Sequence, residues 1–284
     1  MNKTLAGNEQ NAVPTVVIRG TDRGWTLRAG ELWQHRELLY FLAMRDIKVR
    51  YKQTVLGFAW AILQPLGIAL TLTLFLGRFV HVPSEGLPYL VFAYSAMTVW
   101  QLFANALTNA SNSLPVNERL ISKVYFPRLL VPVAAILACL PDFVVSLAVL
   151  VIFLVHYQIA ISASLWMMPV AVVLALLIAV GAGLWLAALN VRYRDVRHIV
   201  SFLVQFWFFA TPVAYPTSVV PERWRALYGM NPMVGAVEAF RWSLHGTGPM
   251  PAALVLLSAA IALALVGSGL YYFRHTEDTF ADFI

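Results

Sequence analysis

Six long apolar stretches alternate with shorter polar segments along this chain of 284 residues. A bilayer core of about 30 Å is crossed by a helix of about 20 apolar residues, and each stretch is close to that length or longer. The pattern predicts an all-α, polytopic membrane protein with six transmembrane helices. The predicted spans are Gly57–Phe79, Tyr89–Ser111, Leu129–Val155, Leu165–Leu189, Ile199–Tyr215 and Ala252–Phe273.

The basic residues between the apolar stretches lie almost entirely on one side. With a cytoplasmic N-terminus, sixteen of the 20 Lys and Arg fall in inner segments, whereas the outer segments keep Arg223, Arg225 and Arg241, and a span end keeps Arg78. This asymmetry predicts that both termini are cytoplasmic. The chain then divides into a cytoplasmic tail with an interface helix (1–56), a transmembrane domain (57–273) and a second cytoplasmic tail (274–284).

Composition and charge agree with a membrane protein. Hydrophobic residues make up 60% of the chain and charged residues 12%, whereas a soluble domain carries about 25% charged residues. Most of the net charge of +6 belongs to segments that would face anionic headgroups, so we expect membrane lipids and no nucleic acid as partners. A single cysteine, Cys139, excludes an intramolecular disulfide, and six scattered His predict no metal site.

A short amphipathic helix in the membrane interface is predicted before the first span. Between Glu31 and Met44, leucines recur at helical spacing among polar residues, and this stretch is too short to cross a bilayer. Four basic residues follow, and two hypotheses remain open for them. They bind the phosphates of a lipid-linked substrate on the cytoplasmic side, or they anchor the helix to headgroups. These residues are Arg45, Lys48, Arg50 and Lys52.

Two further short segments predict helices that do not cross the membrane. The inner segment Leu114–Arg128 places Leu120, Ile121, Val124 and Tyr125 on one helix face, which indicates a partner groove or, as the alternative, a helix resting on headgroups. The outer segment Pro216–Met250 predicts two apolar helices that form a re-entrant hairpin in the outer half of the protein. Pro221 begins the first helix and Gly229 ends it, and Asn231-Pro232 begins the second, which Gly246 ends. Glu238 and Arg241, three residues apart on the second helix, are expected to face each other.

The sequence offers little catalytic chemistry of its own. Because no Gly-Lys pair occurs, a Walker-type phosphate loop is absent. The outer carboxylates Glu85, Glu222 and Glu238 are not grouped, so we expect neither an enzyme nor a bound cofactor. Asp142 is the clear acid within a span and follows Pro141. We favour a structural role for it, as a hydrogen-bond acceptor, over a role in transport.

Aromatic residues are dense in the predicted spans. Their rings suit membrane interfaces and helix packing, and they also suit the apolar faces of sugar rings. Because Phe206–Phe209 would cover all sides of a helix, at least one of these rings should face the interior. The candidates for a translocation path are Trp60, Tyr94, Phe206, Trp207 and Phe209.

Several segments recur together from about Arg36 to the C-terminus. They are Arg36-Glu37-Leu38-Leu39, Arg45–Tyr51, Gln53–Gly57, Gln64-Pro65-Leu66, Lys123–Arg128, Leu189–Asp195, Pro221–Trp224 and Asn231-Pro232-Met233. In combination they resemble the ABC-2-type permease subunits that export polysaccharides, namely the O-antigen, capsule and teichoic-acid exporters.

This resemblance implies a homodimer in the bacterial inner membrane with two copies of a separate ATPase, on which ATP and Mg would bind. The implied cargo is a lipid-linked glycan, and the alternative is a related exporter of drugs or small lipids. The resemblance places an ATPase coupling helix at Pro115–Phe126 and gate helices on the outer side before the last span. The coupling residues would be Asn117, Glu118, Leu120, Ile121, Lys123, Val124 and Tyr125, and the outer-gate residues Pro221, Trp224, Tyr228, Asn231, Glu238 and Arg241.

Overall fold

A computed structural model describes residues 33–52, 57–124, 126–160, 162–193, 195–246 and 249–280. Within these ranges the chain is helical and contains no β-strand, which confirms the predicted all-α class. The helices, numbered in chain order, are α1 (Arg36–Lys52), α2 (Gly57–Leu72), α3 (Tyr89–Val116), α4 (Glu118–Lys123), α5 (Leu130–Leu137), α6 (Leu140–His156), α7 (Met167–Arg192), α8 (Val196–Phe209), α9 (Glu222–Gly229), α10 (Pro232–His245) and α11 (Ala252–Thr276). Shorter helical turns cover Thr73–Val80, Ala163–Trp166, Thr217–Val219 and Glu277–Thr279.

Within the described residues, five segments are long and apolar enough to cross a membrane, and the protein is therefore a multi-pass membrane protein. The predicted span Ile199–Tyr215 behaves differently, because its helix α8 has 14 residues and ends at Phe209. Such a helix extends about 21 Å, less than the bilayer core. Pro212 lacks a backbone N–H and restricts the residue before it, so turns replace the helix there. The five segments are Ala59–Val80, Tyr89–Val116, Leu130–His156, Ala163–Arg192 and Ala252–Thr279.

Helix α3 runs through the centre of the bundle, with Phe92, Met97 and Leu107 fully buried. Helix α7 packs against both α3 and α11. At Gly181 of α7, an added Cβ would lie 2.6 Å from the backbone carbonyl carbon of Leu265 in α11. Only glycine permits this approach of two backbones, as is common where membrane helices pack through small residues.

Hydrogen bonds tie the helices together at both ends of the bundle. Near α4, the Arg128 guanidinium donates to the Glu277 carbonyl oxygen at the C-terminal end of α11. Near α10, the Tyr89 hydroxyl donates to the Ala214 carbonyl oxygen over 2.5 Å. We call these the α4 end and the α10 end of the bundle.

Helix α1 is longer than the predicted interface helix. It continues through the four basic residues to Lys52, and it buries Leu42 and Ala43 in a cluster with Leu130 and Ala134 of α5. The basic segment is therefore helical, and its side chains divide between a face that packs on α5 and a face that is exposed.

Candidate functional site

Helix α4 is the structural counterpart of the predicted coupling helix. It forms a short bridge between α3 and α5 at the α4 end of the bundle. The predicted apolar ridge does not face outward as one surface, because Ile121 is buried in the cluster that contains Leu42 and Phe273. Val124 is 53% exposed, and Tyr125 lies outside the described residues. The exposed side chains of this segment are Val116, Glu118, Arg119, Ser122, Lys123 and Val124.

The junction before α4 is held to α1 by Arg45. Its guanidinium donates to the Asn117 Oδ1 over 2.6 Å and forms a salt bridge of 2.8 Å with Asp46. Both residues had been predicted to serve a partner or a substrate, Asn117 the ATPase and Arg45 the lipid phosphates. In the structure Arg45 and Asn117 contact each other, so a movement of α4 would also displace α1.

Arg50 also contacts residues of its own chain. Its guanidinium lies 2.5 Å from a carboxylate oxygen of Asp142 and donates to the Ala138 carbonyl oxygen over 3.4 Å. The Tyr51 hydroxyl donates to the same carboxylate. The prediction that Asp142 accepts hydrogen bonds from a neighbouring helix is therefore confirmed, and a counter-charge accompanies them. An acid within a span needs such a partner, which was the signal that could have identified Arg50 from the sequence.

The four basic residues at the C-terminal end of α1 thus separate into two pairs. Arg45 and Arg50 contact carboxylates of the same chain, whereas Lys48 and Lys52 are exposed. The exposed pair retains the charge and the freedom needed to contact a phosphate, whether of a substrate or of a headgroup.

The candidate path aromatics occupy two different environments. Trp60 is 58% exposed, and Phe206 and Phe209 lie on the exposed face of α8. Tyr94 is fully buried in the core and packs edge-on against Phe153, with ring centroids 5.1 Å apart. The exposed rings can meet a substrate or a second chain, whereas the Tyr94 ring contributes to packing.

Trp207 is half-buried and packs against the core of the bundle. Its ring packs edge-on against Phe103 at 5.0 Å, and its indole N–H donates to the Asn231 Oδ1 over 2.8 Å. Asn231 caps the N-terminus of α10 by accepting from the Met233 N–H over 3.0 Å. One asparagine thus connects α8 to α10, so this candidate gate residue also orients a helix.

Helix α10 is the buried member of the predicted outer pair. Val234, Val237 and Phe240 are fully buried among α3, α7 and α11. In α9, by contrast, Trp224 and Leu227 are exposed, and so is Pro221 before it. The two short helices exist as predicted, but they differ in burial.

A salt bridge inside α10 joins Glu238 to Arg241 over 3.1 Å, as their spacing predicted. The Arg241 side chain is 1% exposed. Its guanidinium lies 3.8 Å from the centre of the Phe92 ring and donates to the Pro212 carbonyl oxygen over 2.7 Å. Burial raises the pKa of Glu238, and the adjacent positive charge of Arg241 opposes that shift. Arg241 thereby fixes α10 to α3 and to the turn after α8.

The sequence profile of ABC-2 type transporters matches residues 37–245. The O-antigen export system permease protein RfbA of Myxococcus xanthus is 30% identical over 257 residues, which cover 89% of this chain and 98% of that protein. A protein of the same name from Klebsiella pneumoniae is 28% identical and covers 83% of this chain and 91% of its own length. The polysialic acid transport protein KpsM of Escherichia coli is 22% identical, over 70% of this chain and 78% of its own.

Proposed function

Because this chain belongs to the ABC-2 type transporter family, we propose that it is the membrane subunit of an ATP-driven exporter of a lipid-linked polysaccharide. The observation that carries this proposal is the similarity to an O-antigen export permease over 98% of that protein's length. The relative KpsM is named a polysialic acid transport protein, which supports a polysaccharide as the cargo. The chain is a transport subunit, and the proposed ATPase is a separate protein that binds ATP and Mg.

The proposed topology has six crossings in the bacterial inner membrane, with both termini in the cytoplasm. Five crossings correspond to the long apolar segments. The sixth consists of α8 together with the turns that follow it, because the positive-inside distribution requires α7 and α11 to run in the same direction. In this topology α4 faces the cytoplasm, and α9 and α10 lie on the outer side.

The proposed assembly is two copies of this chain with two ATPase subunits. The exposed side chains around α4 supply a mixed apolar and charged surface for the ATPase, with Val116 and Val124 as its apolar contacts. The exposed aromatic rings of α2 and α8 suit the second copy or the glycan path. Lys48 and Lys52 would meet the phosphates of the lipid carrier at the cytoplasmic surface.

The proposed outer hairpin dips into the membrane through α10. Its buried apolar face supports this placement, whereas the exposed residues of α9 suit a position at the membrane surface. In a dimer the two hairpins would flank the exit and close it when no glycan passes. The Asn231 and Arg241 contacts would hold each gate helix in place.

Deletion of the chain tests the proposed function. In the parent bacterium, deletion should abolish the surface polysaccharide and leave lipid-linked glycan inside the cell, and expression of the chain from a plasmid should restore the surface signal. An antibody or lectin applied to intact and permeabilised cells distinguishes the two locations. An unchanged surface polysaccharide together with increased drug sensitivity would instead favour the alternative, an exporter of drugs or small lipids.

A further inference from the structure

A cavity of about 290 Å³, lined by both polar and apolar side chains, opens between α2, α3 and α6 of a single chain. Its lining includes Gln64 of α2, the amides Gln101, Asn105 and Asn109 of α3, and Ser146 of α6. Polar side chains within membrane spans are costly and commonly mark substrate pathways. Gln64 entered the sequence analysis only within the segment Gln64-Pro65-Leu66, and the other four residues were not singled out there.

The α3 side of the cavity is a continuous polar stripe. Thr98, Gln101, Asn105 and Asn109 are spaced by three or four residues, so they share one face of the helix. The Gln101 amide donates to the Asn105 Oδ1 over 3.1 Å, and the Asn109 amide donates to the Cys139 Sγ over 3.2 Å. Each amide offers two N–H donors and a carbonyl acceptor, so these contacts orient the stripe and leave capacity for further hydrogen bonds.

The charges at the cavity compensate one another. Among the described residues, Arg50 and Asp142 are the charged members of the lining, and they form the 2.5 Å salt bridge described above. A phosphate would have to compete with the Asp142 carboxylate for Arg50. The remaining donors and acceptors are neutral and suit a neutral ligand that has both kinds of group.

The exposed ring of Trp60 also lines the cavity. A sugar ring combines hydroxyl groups, which both donate and accept hydrogen bonds, with an apolar C–H face that packs on an aromatic ring. A lipid tail or an apolar drug would leave the amides without partners, which is unfavourable away from water. The volume lies near the lower limit of small-ligand sites, about 300 Å³, and therefore suits one sugar unit rather than a longer segment.

We propose that this cavity binds a neutral sugar unit of the glycan within one chain, with the amides of α3 contacting its hydroxyl groups. The proposal rests on the proposed function, since it takes the glycan as cargo. It adds a binding site inside each copy of the chain, beside any path between copies. Export would then depend on the amide stripe as well as on exposed aromatic rings.

The first test compares Asn105→Leu with Thr71→Val in a strain that lacks the chromosomal copy. Leucine matches asparagine in size but cannot form hydrogen bonds, and we expect about tenfold slower export, measured by the appearance of surface polysaccharide after glycan synthesis is induced. Thr71 is exposed on α2 and donates to the Gly67 carbonyl oxygen of its own helix, so Thr71→Val should export at the normal rate. Normal export by Asn105→Leu at equal membrane abundance would overturn the proposal.

The second test measures occupancy directly and does not require a polar residue to be removed. Ala61 lines the cavity, so Ala61→Cys introduces a thiol there. Thr71→Cys on the same helix is the control. The unchanged chain gives the background labelling of the buried Cys139. A small uncharged maleimide should label Ala61→Cys at least threefold more slowly in cells that make the glycan than in cells with blocked glycan synthesis. Thr71→Cys should label equally in both.

The outcomes separate this proposal from the proposed function. Equal labelling of Ala61→Cys with and without glycan, in a strain whose surface polysaccharide depends on this chain, overturns the cavity site and leaves the export function intact. A deletion strain that still displays its polysaccharide overturns both.

Discussion

The ion pair of Arg50 and Asp142 allows a structural role to be distinguished from a ligand-binding role. Two unit charges about 4 Å apart attract each other by about 1 kcal/mol in water and about 4 kcal/mol at an effective dielectric constant of about 20. The two side chains are 31% and 17% exposed, so the pair lies between these limits. We expect a coupling free energy of about 2 kcal/mol, because partial exposure screens the attraction.

The coupling can be measured with Arg50→Met, Asp142→Leu and the double variant. Each single change leaves one charge without its counter-ion, whereas the double variant removes both charges. The free energy of unfolding, from SDS titration of the purified protein, should therefore fall less in the double variant than the two single losses predict, by about 2 kcal/mol. Additive losses within about 0.5 kcal/mol would refute the reasoning.

A matched control lies on the same helix. Lys48 is exposed, so Lys48→Met combined with Asp142→Leu should show no coupling. If Arg50 served mainly as a phosphate ligand, Arg50→Met would slow export while the free energy of unfolding stayed unchanged. The same set of variants therefore tests both interpretations of the basic segment.

Three further predictions concern the short helices and the helix contacts. Ile121→Asp should destabilise the protein by about 3 kcal/mol, because it places a carboxylate in the core. Val124→Asp should leave the stability unchanged, but less ATPase should co-purify with this variant. Equal unfolding curves for the two variants would contradict the placement of α4. Arg241→Met leaves the Glu238 carboxylate without its counter-ion and should lower the free energy of unfolding by about 3 kcal/mol. An SDS titration curve equal to that of the wild-type protein would rule this expectation out. Gly181→Leu should prevent the packing of α7 on α11 and reduce the folded yield, whereas Gly67→Leu, with no atom within 4 Å of its added Cβ, should fold normally.

Local signals in the sequence sufficed to predict much of the outer segment. Asn231 followed by Pro232 predicted a helix start, and the structure has Asn231 as the N-cap of α10. Gly246 was expected to end that helix, and it does so with a φ of +59°. The Glu238–Arg241 pair also followed from spacing alone, because residues three apart on a helix lie side by side.

The sequence by itself determined the class of the protein, since long apolar stretches in lipid must satisfy their backbone groups as helices. It did not determine the length of α8, because an apolar stretch that contains Pro212 can be helix or turn, and hydropathy does not distinguish them.

The tertiary structure alone decided which polar and apolar side chains meet. Arg50 and Asp142 are 92 residues apart, and their contact arises because α1 packs beside the junction of α5 and α6. The sequence predicted Ile121 on an outward ridge, because helical spacing identifies a shared face but not the direction in which that face points. That direction depends on how α4 lies against α1 and the end of α11, which local spacing does not encode.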